Sequence, residues 1–406
     1  MADQLYVSKR SERRRRAAIA VAVLVVLALA PPSAGITAQA QEKKPIKIGV
    51  VLPLSGGGAA VGNEDLQGIK YALGEVNNEI DGHKIELVVA DDQNKPDSAL
   101  TEARRLVESE KVIAVLGTLN SSVALALSPY LTSAKVPFIA GAIATDLTQA
   151  KKSHYTFRAS FASGQFEGAT ADYLIRHNMK RGVLVGSDYA AGHDTVTSIG
   201  RHLNALGGTV VREMFPRQGE TDYSPFLSRI ADDSADFVFS FVFGGDTLRF
   251  VRQYREFGLK FPLVLSASSL SAAGMASTLG KNVEGVLSNE YWIWTVNIPE
   301  SKAFVSGFTK QFGNRPETVA YIGYLEARAL VEALKPLKGE VPDGEALVNA
   351  LKTVSFVAPS GPWHFDADNN PVETFYMVRW DFKDGAVVPV VVDRIPDVDQ
   401  YWKPKR

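Results

Sequence analysis

The chain alternates short apolar runs with longer segments in which apolar residues recur every three or four positions. Ile46 to Leu54 is a nearly unbroken apolar run, the pattern of a parallel strand covered on both faces. Behind it, Leu66, Ile69, Leu73 and Val76 fall on one stripe of a helix. Asp81-Gly82 turns the chain into a strand at Ile85 to Ala90, and Pro96 opens a helix that runs through Leu106. Val112 to Leu116 and Val136 to Ile139 read as two more strands. Strands alternating with helices predict a parallel sheet with right-handed crossovers.

The same order then returns. A strand at Gly182 to Gly186 leads past Gly192 into a helix through Leu206, followed by a strand at Thr209 to Glu213. A helix near Tyr223 to Ile230, a strand at Asp236 to Phe241, a helix at Gly244 to Phe257 and a strand at Leu263 to Ser266 complete the second half. The repetition predicts an α/β protein of two Rossmann-like lobes, since single cores tend to split beyond roughly 250–300 residues. Helices around Phe304, Val305, Phe308 and Phe312 and over Val319 to Leu334 follow, then strands at Thr374 to Trp380 and Val387 to Val391. No low-complexity linker intervenes, so the chain is expected to pass between the lobes more than once.

The N-terminus breaks this pattern. Arg13 to Arg16 precede an apolar run of 14 residues, Ala17 to Ala30. A membrane-spanning helix needs about 20 apolar residues, so the run reads as a secretory signal peptide. Ala38-Gln39-Ala40 offers a small-x-small cleavage site. Residues 1–40 are therefore expected to be removed, leaving a protein exported to the periplasm. Their loss takes away six basic and two acidic residues and leaves 38 basic against 43 acidic, a formal charge of -5. No basic field asks for nucleic acid. The absence of cysteine excludes disulfides, thiolate metal sites and a thiol nucleophile.

Catalytic motifs fail on inspection. Gly57 to Gly62 has P-loop spacing, but Asn63 stands where the phosphate-binding lysine belongs. Val61 occupies the third glycine of a dinucleotide fingerprint. Asp366-Ala367-Asp368-Asn369-Asn370 opens like a calcium loop, but Pro371 and Met377 replace the turn glycine and the closing glutamate. The six histidines form no zinc motif, and no G-x-S-x-G elbow occurs. Ser187, Asp188 and His193 lie too close in sequence for one small loop to hold them as a triad. Neither enzyme chemistry, a cofactor nor a metal is expected.

What remains is a binding site at the carboxyl ends of strands, where open α/β sheets hold ligands. Gly117-Thr118-Leu119-Asn120-Ser121-Ser122 enters a helix, and Ser121 and Ser122 are suitable capping residues. Free amides, the helix dipole and two hydroxyls suit a carboxylate, although plain capping explains the same residues. Gly141, Ala142, Ile143 and Thr145 follow the fourth strand, and Val61 lies beyond the glycine-rich loop. The second lobe contributes Tyr189, Phe243 and Ser268. Tyr291 belongs to an aromatic cluster in which Trp294 reads as core packing.

These segments in order resemble a known family. Ile46-Lys47-Ile48-Gly49-Val50-Val51, Pro53-Leu54-Ser55-Gly56, Asp91-Asp92, Gly117 to Ser122, Phe138-Ile139-Ala140, Asp236-Phe237-Val238, Phe257-Gly258-Leu259 and Gly361-Pro362 are similar to type I periplasmic binding proteins. The nearest group is the leucine/isoleucine/valine-binding family of ABC importers. The resemblance spans 45–395. It implies lobes joined by a three-stranded hinge, lobe 1 being 45–163 plus 296–370 and lobe 2 being 164–295 plus 371–395, with 396–406 as a tail. Ala162-Ser163, Val296-Asn297 and Asn369 to Pro371 are the expected hinge stretches. It further implies a monomer that captures a small carboxylate, with Ser121 and the loop around Gly141 to Ile143 as its holders, and delivers it to ABC permease subunits. A sensor of the same fold is the alternative.

Departures from the family bear on the ligand. The loop hydroxyl of the family falls near Ile143, with Thr145 as a substitute. Family aromatic positions fall on Ala191, with Tyr189 as a replacement, and on Phe243. The acidic residue that meets an ammonium falls near Ala267-Ser268. A buried ammonium without a carboxylate costs several kcal/mol. The expected ligand is therefore a carboxylate with an apolar or aromatic body, walled by Tyr189, Phe243 and Tyr291, unless Asp188 or Glu290 receives an amine.

Overall fold

A computed structural model describes residues 43–242 and 244–403. Segment 1–40, expected to be a signal peptide, and Phe243 lie outside the described residues. The first sheet holds β1 (Ile46–Leu52), β2 (Glu79–Ile80), β3 (His83–Asp91), β4 (Ala114–Gly117), β5 (Phe138–Ala140) and β6 (Thr156–Arg158). Their order is β2-β3-β1-β4-β5-β6. Only β2 is antiparallel to its neighbour. The helices between these strands are α1 (Ala59–Gly74), α2 (Pro96–Arg104) and α3 (Ser121–Ser133).

The second sheet contains β7 (Arg181–Gly186), β8 (Thr209–Met214), β9 (Phe237–Phe241), β10 (Leu263–Leu265) and β11 (Val286–Glu290), all parallel. A hairpin of β12 (Ser355–Ala358) and β13 (Gly361–Phe365) leads into the long antiparallel pair β14 (Pro371–Lys383) and β15 (Ala386–Val398). β14 runs antiparallel to β11. It follows β13 of the same sheet through a short turn, so no helical crossover dictates its direction. Both sheets are thus mixed, where the pattern of apolar runs predicted parallel ones.

Helices α4 (Glu167–Arg176), α5 (Ala190–Ala205), α6 (Ser224–Asp232), α7 (Gly245–Glu256) and α8 (Met275–Leu279) accompany the second sheet. Helices α9 (Pro299–Phe312), α10 (Thr318–Leu334) and α11 (Gly344–Leu351) return to the first. The chain passes between the lobes in segments 159–166 and 291–298, and it re-enters the second sheet between α11 and β12. Phe161, Phe166 and Tyr321 pack around Tyr291 there, with ring centroids 5.0–6.3 Å apart, and continue the core from one lobe into the other.

One helix crossing shapes the site. Gly68 on α1 lies so close to α10 that a Cβ would sit 1.9 Å from the Ala320 carbonyl oxygen. Gly323 on α10 lies equally close to Asp65, at 2.1 Å from its carbonyl oxygen. The missing side chains let the two backbones touch, which presses the acidic side of α1 against α10.

Candidate functional site

Three strand ends of the first lobe supply the site. After β1, residues 56–58 form one tight turn that runs into α1, and Val61 is half-buried in its first turn. After β4, Thr118 is buried and donates its hydroxyl to Asp92, anchoring the start of the loop. Asn120, not Ser121 or Ser122, caps α3. Its Oδ1 accepts from the amides of Ser122 at 2.8 Å and Val123 at 3.1 Å. Asn120 itself is held by Asn94, whose Oδ1 accepts from Asn120 Nδ2 at 2.8 Å. The capping expectation was thus one residue late. Asn shares the top of the capping preference with Ser and is free to adopt extended backbone one position earlier. Ser121 is left as the first residue of the helix, half-buried, its hydroxyl unbonded among the described residues. Ser122 points to an exposed position and its amide is already taken.

The loop after β5 is organised by Arg158, a residue that the sequence pattern did not single out. Its guanidinium is fully buried and donates to the carbonyls of Ala142 at 2.7 Å, Phe161 at 3.3 Å and Ala144 at 2.6 Å, and to the Thr148 hydroxyl at 3.0 Å. Burial pulls its pKa down to about 9. The Ile143 carbonyl accepts from the Ser163 amide at 2.7 Å. Three successive carbonyls are therefore turned inward. The amides of Ala142, Ile143 and Ala144 donate to nothing among the described residues. Thr145 donates to the Ser163 carbonyl at 2.8 Å and lies near Asp194 of α5, so this loop approaches the second lobe.

In the second lobe, Tyr189 is half-buried beside Phe241, and desolvation raises its phenol above the ordinary value. Ser268 is half-buried with a positive φ of 62°, its hydroxyl donating to the Tyr291 phenol at 3.4 Å. Tyr291 is fully enclosed, and its hydroxyl donates to the Thr318 carbonyl at 2.9 Å. The expected wall residue is a packing residue of the interlobe core. Glu290 is likewise fully buried, accepting from Ser271 at 2.7 Å, Ser288 at 2.8 Å and the Ser268 amide at 3.3 Å. Desolvation pushes it up to about 7. Asp188 is exposed and paired with His193. Trp294 packs edge-on against Trp380, with Arg315 3.7 Å above its ring, as a packing residue does.

The lobes also meet through the loop after β10. Ser271 accepts from the Thr318 amide at 3.0 Å, Gly274 donates to Glu317 at 2.6 Å, and Ala273 donates to Glu64 at 3.4 Å. A cavity of about 980 Å³ is lined by Gln149, Gly164, Arg201, His202 and Trp402 and includes none of the expected site residues. No helix among the described residues is long and apolar enough to cross a membrane, and they contain no group of three or more His, Asp or Glu placed to hold a metal ion.

Two α/β lobes joined by passages of chain, with inward-turned carbonyls and unspent amides after β5, are the architecture of a solute-binding protein. The family model described as periplasmic binding protein matches residues 45–386, and the chain belongs to that family. More narrowly, it is a type I periplasmic binding protein of the leucine/isoleucine/valine-binding kind. It is 28% identical over 342 residues to the Leu/Ile/Val-binding protein homolog 6 of Brucella melitensis, covering 83% of this chain and 87% of the relative. An ABC transporter substrate-binding protein from Sphaerobacter thermophilus is similar in structure, with TM-score 0.85 and 36% identity over 88% of this chain and 99% of that one. A solute-binding protein of an ABC transporter from Rhodopseudomonas palustris BisB5, solved in complex with 3,4-dihydroxybenzoic acid, gives TM-score 0.82 and 28% identity over the same shares.

Proposed function

We propose that this protein is the periplasmic receptor of an ABC importer, exported by cleavage of residues 1–40, and that it captures a small carboxylate with an aromatic or apolar body. The observation that carries this reading is the loop after β5. Arg158 and Ser163 claim its carbonyls and leave the amides of Ala142, Ile143 and Ala144 for an anion. Ser121, at the positive end of α3, adds a free hydroxyl beside the helix dipole. Lobe 1 (45–163 plus 296–370) and lobe 2 (164–295 plus 371–395) close on the ligand by rotation at residues 162–163, 296–297 and 369–371. Ligand favours the closed form because it contacts both lobes. The closed monomer then docks on permease subunits.

The carboxylate's partner groups argue against an α-amino acid. Glu290, the acid nearest Ser268, is enclosed and already accepts from three donors. Tyr189 offers an apolar face instead. The Rhodopseudomonas relative with a bound dihydroxybenzoate supports the same class. Titration calorimetry with 3,4-dihydroxybenzoate, benzoate, benzamide and leucine tests this. Binding of the aromatic acids, loss with the uncharged amide and a drop of about tenfold in affinity on Ser121→Ala are expected. Tight leucine binding alone, with no aromatic acid bound, would overturn the choice of ligand.

A further inference from the structure

We propose that Glu326 positions both carboxylate-binding loops, and that the buried acid pair it forms with Asp65 couples capture of an anionic ligand to uptake of a proton. This rests on the capture reading above. Glu326 lies on α10, fully buried. Its Oε2 accepts from the Gly117 amide at 3.0 Å, and its Oε1 has no partner among the described residues. A Cβ built on Gly141 would sit 2.7 Å from that Oε1. One carboxyl group therefore rests against the last residue of β4 and the first residue after β5, the roots of the two loops that hold Ser121 and the free amides.

Asp65 reaches the same place from α1. It is fully buried and neither carboxyl oxygen has a partner among the described residues. Oδ1 lies 2.7 Å from where a Cβ on Gly323 would be, one turn before Glu326. The charged groups facing this pair are acidic. Glu64 stands next to Asp65 on α1, with Glu317 from the start of α10 acting on Glu64. Asp92 lies under the loop after β4, bonded to Thr118. Arg328 on α10 is turned away to Glu75 and Glu332. Two ionised carboxylates cannot be sustained there without water or a cation. Burial first, and the negative neighbour second, hold both Asp65 and Glu326 well above the usual carboxylate range.

A proton kept on this pair explains why nature tolerates it under an anion site. The neutral form of Glu326 still accepts from Gly117, while adding no charge beneath the ligand. A carboxylate arriving on the loops raises the cost of ionising the pair further. Over the pH range in which the free pair is partly ionised, the bound state then holds more protons than the free state, and affinity falls as pH rises.

Calorimetry of the intact protein with 3,4-dihydroxybenzoate, repeated from about pH 6 to pH 8.5 in buffers of different ionisation enthalpy, tests this. Wild-type Kd should weaken about three- to tenfold across that range, with proton uptake seen as a buffer-dependent enthalpy. Glu326→Gln, which keeps an oxygen for Gly117, should remove the pH slope and the proton uptake, and Asp65→Asn should do the same. Glu326→Leu, with no acceptor for Gly117, should weaken binding at every pH. Without ligand, infrared spectra should show a buried protonated carboxyl band that Glu326→Gln or Asp65→Asn reduces. A pH-independent wild-type Kd with tight binding refutes the proton linkage alone, and an unchanged slope in both variants refutes its assignment to this pair. No binding of any carboxylate at any pH refutes the capture reading, and the linkage with it.

Discussion

Replacing Arg158 by methionine keeps most of the apolar stem and removes the guanidinium. Three backbone carbonyls and one hydroxyl lose a charged donor in a place closed to water. At roughly 2 kcal/mol for each bond to a charged group, the gross loss is about 8 kcal/mol. Burial opposes this. Lowering the guanidinium from 12.5 to about 9 corresponds to roughly 5 kcal/mol at 1.4 kcal/mol for each pH unit. The net expectation is a loss of about 3 kcal/mol, within the range seen when a buried charge network is broken. Urea unfolding followed by circular dichroism reads it as a lower midpoint at unchanged slope. The loop should also lose its orientation, because the carbonyls of Ala142 and Ala144 are no longer drawn inward. Ligand affinity should then fall tenfold or more in the surviving folded protein. Arg158→Lys should recover part of the stability and less of the affinity, since one ammonium cannot span the same fork. A methionine variant within about 0.5 kcal/mol of wild type that binds normally would refute the reasoning, because that is the effect of a surface change.

Other consequences are open to simpler tests. Glu64, Glu167 and Glu290 are pushed up to about 7 by desolvation from an ordinary value of 4.5. Their folded pKa values are raised, so the stabilisation is complete below about pH 4.5 and is lost as pH climbs through 7. The melting temperature should therefore drop between about pH 5 and pH 8, and a rise over that interval would contradict the assignment. Asn120→Ala should cost about 1 kcal/mol in urea unfolding through loss of the α3 cap. Serine at the same position should restore most of it. Gly68→Ala should destabilise by about 3 kcal/mol or more, because the added methyl collides with the Ala320 carbonyl at a rigid helix crossing. An unchanged midpoint would show that α1 and α10 can separate freely.

Much of the fold was legible because it follows from burial along single elements. The run at Ile46 to Leu52 had to be a covered strand, and the stripe of Ile69 and Leu73 had to face a sheet. The doubling of the βα pattern announced two lobes, and the strand-end rule placed Ser121 and Gly141 to Thr145 at a common edge. Short or polar elements escaped. β6 has three residues, and β11 carries Ser288, Asn289 and Glu290, whose burial depends on partners elsewhere in the chain. The mixed sheets likewise come from pairings that no apolar run encodes: the two-residue β2 folds back on β3, and β14 lies antiparallel to β11, far from it in sequence.

The site divides along the same line. Residue type and spacing were enough to point to a binding site and to favour a carboxylate held by amides and hydroxyls, because those expectations need only what side chains can do. The tertiary structure alone decided which groups are spent and which are free. Asn120 took the cap that serine was suited for, and Tyr291 and Glu290 were drawn into the core. Arg158 and Glu326, distant in sequence, came to lie beneath the two loops. Sequence states the valence of each polar group, but a hydrogen bond requires geometry within a few tenths of an ångström, and only the packing of distant segments supplies that.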